Sequence, residues 1–194
     1  DLSNMSWSLP TAKHILREIE PYNIRNYEDP VSTFEQMAQL RKNCSIPFST
    51  HVPDITRAVA LGVPDNIVTN FAVLGGIRRA IRFIGACEAM GVGFWCYSGD
   101  AGVCTAAYLH VVAATEWIHE PSQSLFRWQT DDVIEQGPFR QVNNVIQVPE
   151  GPGLGVSLSI RGLKRCHQRF VDDGPINHFV NPGNPGRFTR LPRN

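Results

Sequence analysis

The feature that most constrains this chain is the spacing of its β-like runs. Candidate strands end near residues 1, 28, 51, 70, 97 and 120, so the steps between ends are 27, 23, 19, 27 and 23 residues. Steps of that length match a repeated βα unit of a parallel barrel, which spreads about 250 residues over eight units. Helical patterns fill the intervals. Ala12, Ile15, Leu16 and Ile19 share one helix face, and Ser32 with Glu35 reads as a capping box opening the next helix. Further helices are expected over 54–61, 76–90 and 105–114, the 76–90 helix with Ile77, Ala80, Ile81, Ile84 and Cys87 on one face. Strands alternating with helices imply an α/β fold with a parallel sheet and helices outside it. A doubly wound sheet is the competitor, but no G-x-G-x-x-G follows any strand. Six strand ends are fewer than eight, so the expected fold is the C-terminal part of a barrel, incomplete in this chain. Residues 1–120 form that partial barrel. Residues 121–194, rich in Pro, Gly and Asn, are expected to be a loop-rich tail that adds no further unit.

Composition narrows the partners. Lys plus Arg is 18 and Asp plus Glu is 18, so there is no net field to hold a nucleic acid or an anionic membrane. No apolar run approaches the roughly 20 residues that span a bilayer. The five cysteines are scattered without a C-x-x-C pair, which predicts reduced thiols and a cytoplasmic protein. The abrupt start at Asp1 suggests a fragment. With strands missing, its sheet edges would be open, and the isolated chain is expected to associate through them and to be inactive.

Barrel chemistry sits where strands end and loops begin. The polar residues there are Asp1, Asn4, Glu28, Asp29, His51, Asn70, Tyr97, Asp100 and Glu120. Oxygen donors converging from separate strands suit Mg²⁺, a hard cation.

Several runs then resemble a known family. Asn4-Met5-Ser6-Trp7-Ser8, Tyr27-Glu28-Asp29-Pro30 and Ile46-Pro47-Phe48-Ser49-Thr50-His51 are similar to the enolase superfamily, in its mandelate racemase subgroup, glucarate dehydratase-like. Gly75-Gly76-Ile77-Arg78, Cys87-Glu88-Ala89-Met90-Gly91 and Pro149-Glu150-Gly151-Pro152-Gly153-Leu154-Gly155-Val156 extend the match. The resemblance implies a capping domain plus a (β/α)7β barrel, of which this chain is the C-terminal part. It also implies a Mg²⁺-dependent lyase that removes the proton α to a carboxylate of an acid sugar and stabilises the enediolate, homo-oligomeric in its full-length form.

By the same resemblance, the metal ligands are Glu28, His51 and Asp1. His51 stands where relatives place Asn or an acid. Asp1 is one residue before Leu2, which occupies the expected first-ligand position. The catalytic pair departs as well: Asn70 stands where the family has Asp, and Tyr97 where it has His. Tyr97 is then expected as a hydrogen-bond donor or as the acid to a leaving hydroxyl, with Asp100 restoring the missing charge. Glu120 resembles the acid that supports the enediolate. The alternatives are a non-catalytic relative, or a racemase or cycloisomerase of the same superfamily.

Overall fold

The computed structural model of the protein describes residues 7–98, 101–124, 129 and 131–174. Five parallel strands form one sheet: β1 (Tyr27–Glu28), β2 (Phe48–Thr50), β3 (Asn66–Thr69), β4 (Gly93–Ser98) and β5 (Gln123–Ser124). A parallel neighbour demands a crossover, and helices provide each one. After α1 (Leu9–Ile19) and β1, α2 (Phe34–Arg41) leads to β2 and α3 (Ile55–Leu61) to β3. Then α4 (Phe71–Leu74) and α5 (Ile77–Met90) lead to β4, and α6 (Gly102–Ala113) to β5.

The strand order β1-β2-β3-β4-β5 is the order in the chain. A doubly wound sheet reverses direction partway across, so the monotonic order favours the barrel arrangement. The strand ends expected at 28, 51, 70 and 97 fall within one residue of those observed. The end expected at 120 does not, because Glu120 precedes β5, which finishes at Ser124.

Local chemistry explains the helix boundaries. The Ser8 hydroxyl caps α1 by accepting from Thr11 N, and Asp54 caps α3 by accepting from Arg57 N. The cap of α2 is Thr33 rather than Ser32: its hydroxyl accepts from Gln36 N at 3.2 Å, while Glu35 turns outward to pair with Arg57. Ser32 instead bonds the Gln36 side chain, so the expected capping box is displaced by one residue. On α5, Ala80, Ile84 and Cys87 are buried, whereas Ile77 and Ile81 are exposed. The apolar stripe is wider than the surface the sheet can cover. Gly93 lets β4 lie close to β3, since a Cβ there would stand 1.8 Å from the Asn66 side-chain oxygen.

The thiols of Cys44, Cys87 and Cys96 are buried and free, and burial pushes those of Cys87 and Cys96 up to about 12. Among the described residues, no helix is long and apolar enough to cross a membrane.

Two compact units make up the chain: residues 1–98 with 107–124, and residues 99–106 with 125–193. Within the second, Ile134 and Leu158 form an antiparallel bridge, and the buried Asp132 accepts from Gly102 N at 2.8 Å and Val133 N at 2.6 Å. That unit also contains α7 (Ile160–Asp173), N-capped by Ser159 and held to Asp131 through Arg165. The stretch expected to be a loop-rich tail thus also carries a helix. Its caps and its Ile160, Leu163 and Phe170 spacing are helical signals, masked by the Pro/Gly-rich stretch just before it.

Candidate functional site

All strands run parallel, so their C-terminal ends share one edge of the sheet. Glu28 ends β1, and Asp29 follows it with φ +47°, the left-handed region that Asp tolerates better than most side chains. His51 follows β2 directly. Pairing of Glu28 with Ser49 sets these two strand ends level, and the polypeptide turn at Asp29 aims its carboxylate at β2.

The result is a tight trio. His51 Nε2 lies 3.0 Å from Glu28 Oε1, and His51 Nδ1 lies 2.5 Å from Asp29 Oδ2. The ligand atoms of Glu28, Asp29 and His51 all fall within 4.8 Å of one another. Asp29 is wholly buried, Glu28 nearly so, and the His51 side chain is 31% exposed. Hydrogen bonds to Asp29, then to Glu28, hold the imidazolium against the opposing cost of burial and push its pKa up to about 9. Two buried carboxyl groups thus face the two nitrogens of one ring.

Such a donor set fits a divalent cation. The carboxylates are hard oxygen donors, and His51 offers a nitrogen lone pair once its Nε2 proton leaves, an exchange that metal binding ordinarily drives.

The other expected site residues divide. Tyr97, in β4, reaches the trio: its ring meets that of His51 edge-on at 5.3 Å between centroids. Asn70 stands at the C-terminal end of β3, where its side-chain oxygen accepts from Val73 N at 2.9 Å and caps α4. Asp1 and Asp100 lie outside the described residues.

Glu120 has a partner of its own. It sits before β5 and pairs at 3.0 Å with Arg25, which sits before β1. In that pair the Glu120 carboxylate is engaged by the Arg25 guanidinium. The last strand was expected around Trp117-Ile118, but these residues lie in the connection, where the Trp117 indole donates to Val92 O. The pair with Arg25 is solvent-facing, so Glu120→Gln is expected to change stability by under about 1 kcal/mol. It should leave divalent-ion affinity, read by calorimetry, unchanged; a large loss of affinity would show that Glu120 acts at the ion.

Asp29 was legible as a strand-end acid but carried no assigned role. The available signal was an acid placed between Glu28 and Pro30, one strand away from His51 at the same level.

Comparisons with known proteins agree with this geometry. Residues 3–161 match the family model described as Enolase C-terminal domain-like. A probable glucarate dehydratase of Streptomyces coelicolor is 28% identical over 177 residues, covering 88% of this chain and 40% of that protein. A D-Ala-D/L-Ala epimerase of Cytophaga hutchinsonii is 29% identical, covering 84% of this chain and 47% of that protein. A solved Pseudomonas fluorescens enolase with bound magnesium, potassium and tartrate superposes with a TM-score of 0.82 at 25% identity, over 88% of this chain and 42% of that one. The chain thus spans less than half the length of these relatives, and the parallel sheet is part of a barrel. Its β/α order, its acid-bearing strand ends and the matched residues together establish that the chain belongs to the Enolase C-terminal domain-like family.

Proposed function

We propose that this chain forms part of the active site of a Mg²⁺-dependent dehydratase acting on an acid sugar, glucarate-like. The observation that carries the reading is the Glu28–Asp29–His51 trio at adjacent parallel strand ends. Glu28 and His51 would hold the ion, which when bound neutralises the charge that develops on a substrate carboxylate as its α-proton leaves. Tyr97, against the His51 ring, donates its phenolic proton to the departing hydroxyl. The α-proton passes to a base that the described residues do not supply, the hydroxyl leaves as water carrying the Tyr97 proton, and return of the proton from the base to the Tyr97 phenolate balances the step; the resulting enol relaxes to a 2-keto acid. Deep burial of Glu28 and Asp29 keeps their charge from being dispersed by water.

The test is a screen of aldarates and aldonates with Mg²⁺, using the protein encoded by the whole reading frame that contains this chain. A metal-dependent 2-keto product is expected from at least one of them. If none yields such a product, the dehydratase reading fails.

A second reading is favoured by Asn70, whose oxygen is occupied in capping α4 and which cannot supply the charge that a base-orienting acid would. A relative without turnover would then show neither Mg²⁺ affinity by calorimetry nor product. A racemase or cycloisomerase shares the enediolate, and product analysis separates it.

A further inference from the structure

Asp29 has no part in the reaction outlined above, yet both of its carboxylate oxygens are engaged. Its Oδ1 accepts from the Thr50 hydroxyl at 2.7 Å and from His51 N at 3.3 Å. Its Oδ2 receives His51 Nδ1 at 2.5 Å. All three contacts come from the end of β2, and Asp29, just after β1, meets them with its backbone at φ +47° and its side chain fully buried. A conformation uncommon for a non-glycine residue persists where its surroundings hold it in place. Here the surroundings are the three donors.

The two acids of the trio therefore differ. Both oxygens of Asp29 are engaged by β2, so the carboxylate has little capacity left for an ion. Glu28 faces the opposite nitrogen of the same ring, Nε2, at 3.0 Å. We infer that Asp29 is a positioning residue and not a ligand: it grips Nδ1 of His51 and turns the ring so that Nε2 faces the Glu28 carboxylate. Toward a cation, this rests on the metal-binding reading above; toward the ring itself, it does not. Carboxylates that hold the far nitrogen of a metal-binding histidine commonly tune metal affinity by about 10–100-fold.

The experiment compares the protein encoded by the whole reading frame that contains this chain with its Asp29→Asn and Glu28→Gln variants. Nitrogen-15 NMR on histidine-labelled, metal-free protein reads the ring, and calorimetry with Mn²⁺ reads the ion. A downfield Nδ1 proton, protected from exchange, is expected in the parent chain, retained in Glu28→Gln and lost in Asp29→Asn. Mn²⁺ affinity is expected to fall about 10–100-fold in Asp29→Asn, with loss of the nitrogen coupling in the Mn²⁺ resonance spectrum. A protected Nδ1 proton in Asp29→Asn, or unchanged affinity and nitrogen coupling there, overturns the inference. If the parent chain binds no Mn²⁺ but its Nδ1 proton behaves as stated, the metal reading fails and the positioning role stands. Should Asp29→Asn not fold, the parent chain decides: absence of a protected Nδ1 proton in it overturns the role. Thr50→Val, which removes only the Oδ1 hydroxyl donor, is expected to retain that proton.

Discussion

Phe94→Ala is expected to cost about 3–5 kcal/mol, the range for removing a buried aromatic side chain when the site collapses only in part. Phe94 is 1% exposed in β4, pairs in register with Ile67 of β3, and meets the Phe83 ring of α5 edge-on at 5.8 Å. It joins the sheet to the helix that covers it, so truncation loses the transfer energy of the ring, the aromatic pair and the packing around the void. Urea unfolding of the two proteins measures the difference. Ile81→Ala, on the same helix but 53% exposed, should change stability by about 0.5 kcal/mol or less. Equal effects of the two substitutions would show that α5 does not pack on β4 through the face described.

The second large effect is a dependence on pH. His51 has a folded pKa raised to about 9 from 6.5 by Asp29 and Glu28. A raised histidine pKa means that the folded state holds the proton more tightly, so its stabilisation is fully present below pH 6.5 and is lost as pH rises through 9. With the ring 31% exposed, the loss over that window is on the order of 2 kcal/mol. The measurement is chemical denaturation in a chelator at pH 6, 7.5 and 9, on the parent chain and on His51→Gln. Comparison with the variant is needed because the buried thiols of Cys87 and Cys96, pushed up to about 12, weaken the fold above pH 9 in both proteins. If the difference between the two proteins stays constant from pH 6 to 9, the buried ion-pair account of His51 is wrong.

Both predictions depend on features that differ in how far they could be read in advance. The helix of 77–90 was plain from its periodicity, but which of its isoleucines meet the sheet was not. Ile77, Ile81 and Ile84 carry the same side chain, and only the angle at which α5 lies on β4 buries Ile84 and exposes the other two. Likewise, Glu28 and His51 stood out as polar residues at strand ends spaced like barrel units. Their conversion into a trio with Asp29 depends on a left-handed turn at Asp29, a backbone state that residue types permit but do not require.

Glu120 marks where reading from spacing failed. A connection that lies between a helix and a two-residue strand can contain Trp and Ile without being extended, since the Trp117 indole and its ring contact with His119 hold a turn there. A shift of the strand by a few residues put Glu120 in the connection before β5.

By itself, then, the amino-acid order determined what repeats: the alternation of strand and helix, the parallel sheet it compels, the reduced thiols, and the strand-end acids that resemble one superfamily. Those properties follow from local periodicity and from the short reach of a crossover. Tertiary structure decided what depends on distance between segments far apart in the chain. Tyr97 against His51, Arg25 with Glu120, and Asp29 gripping a histidine 22 residues away are fixed by strand register and turn geometry. Local propensity has no term for these contacts, because each forms only when the sheet has already brought its two partners level.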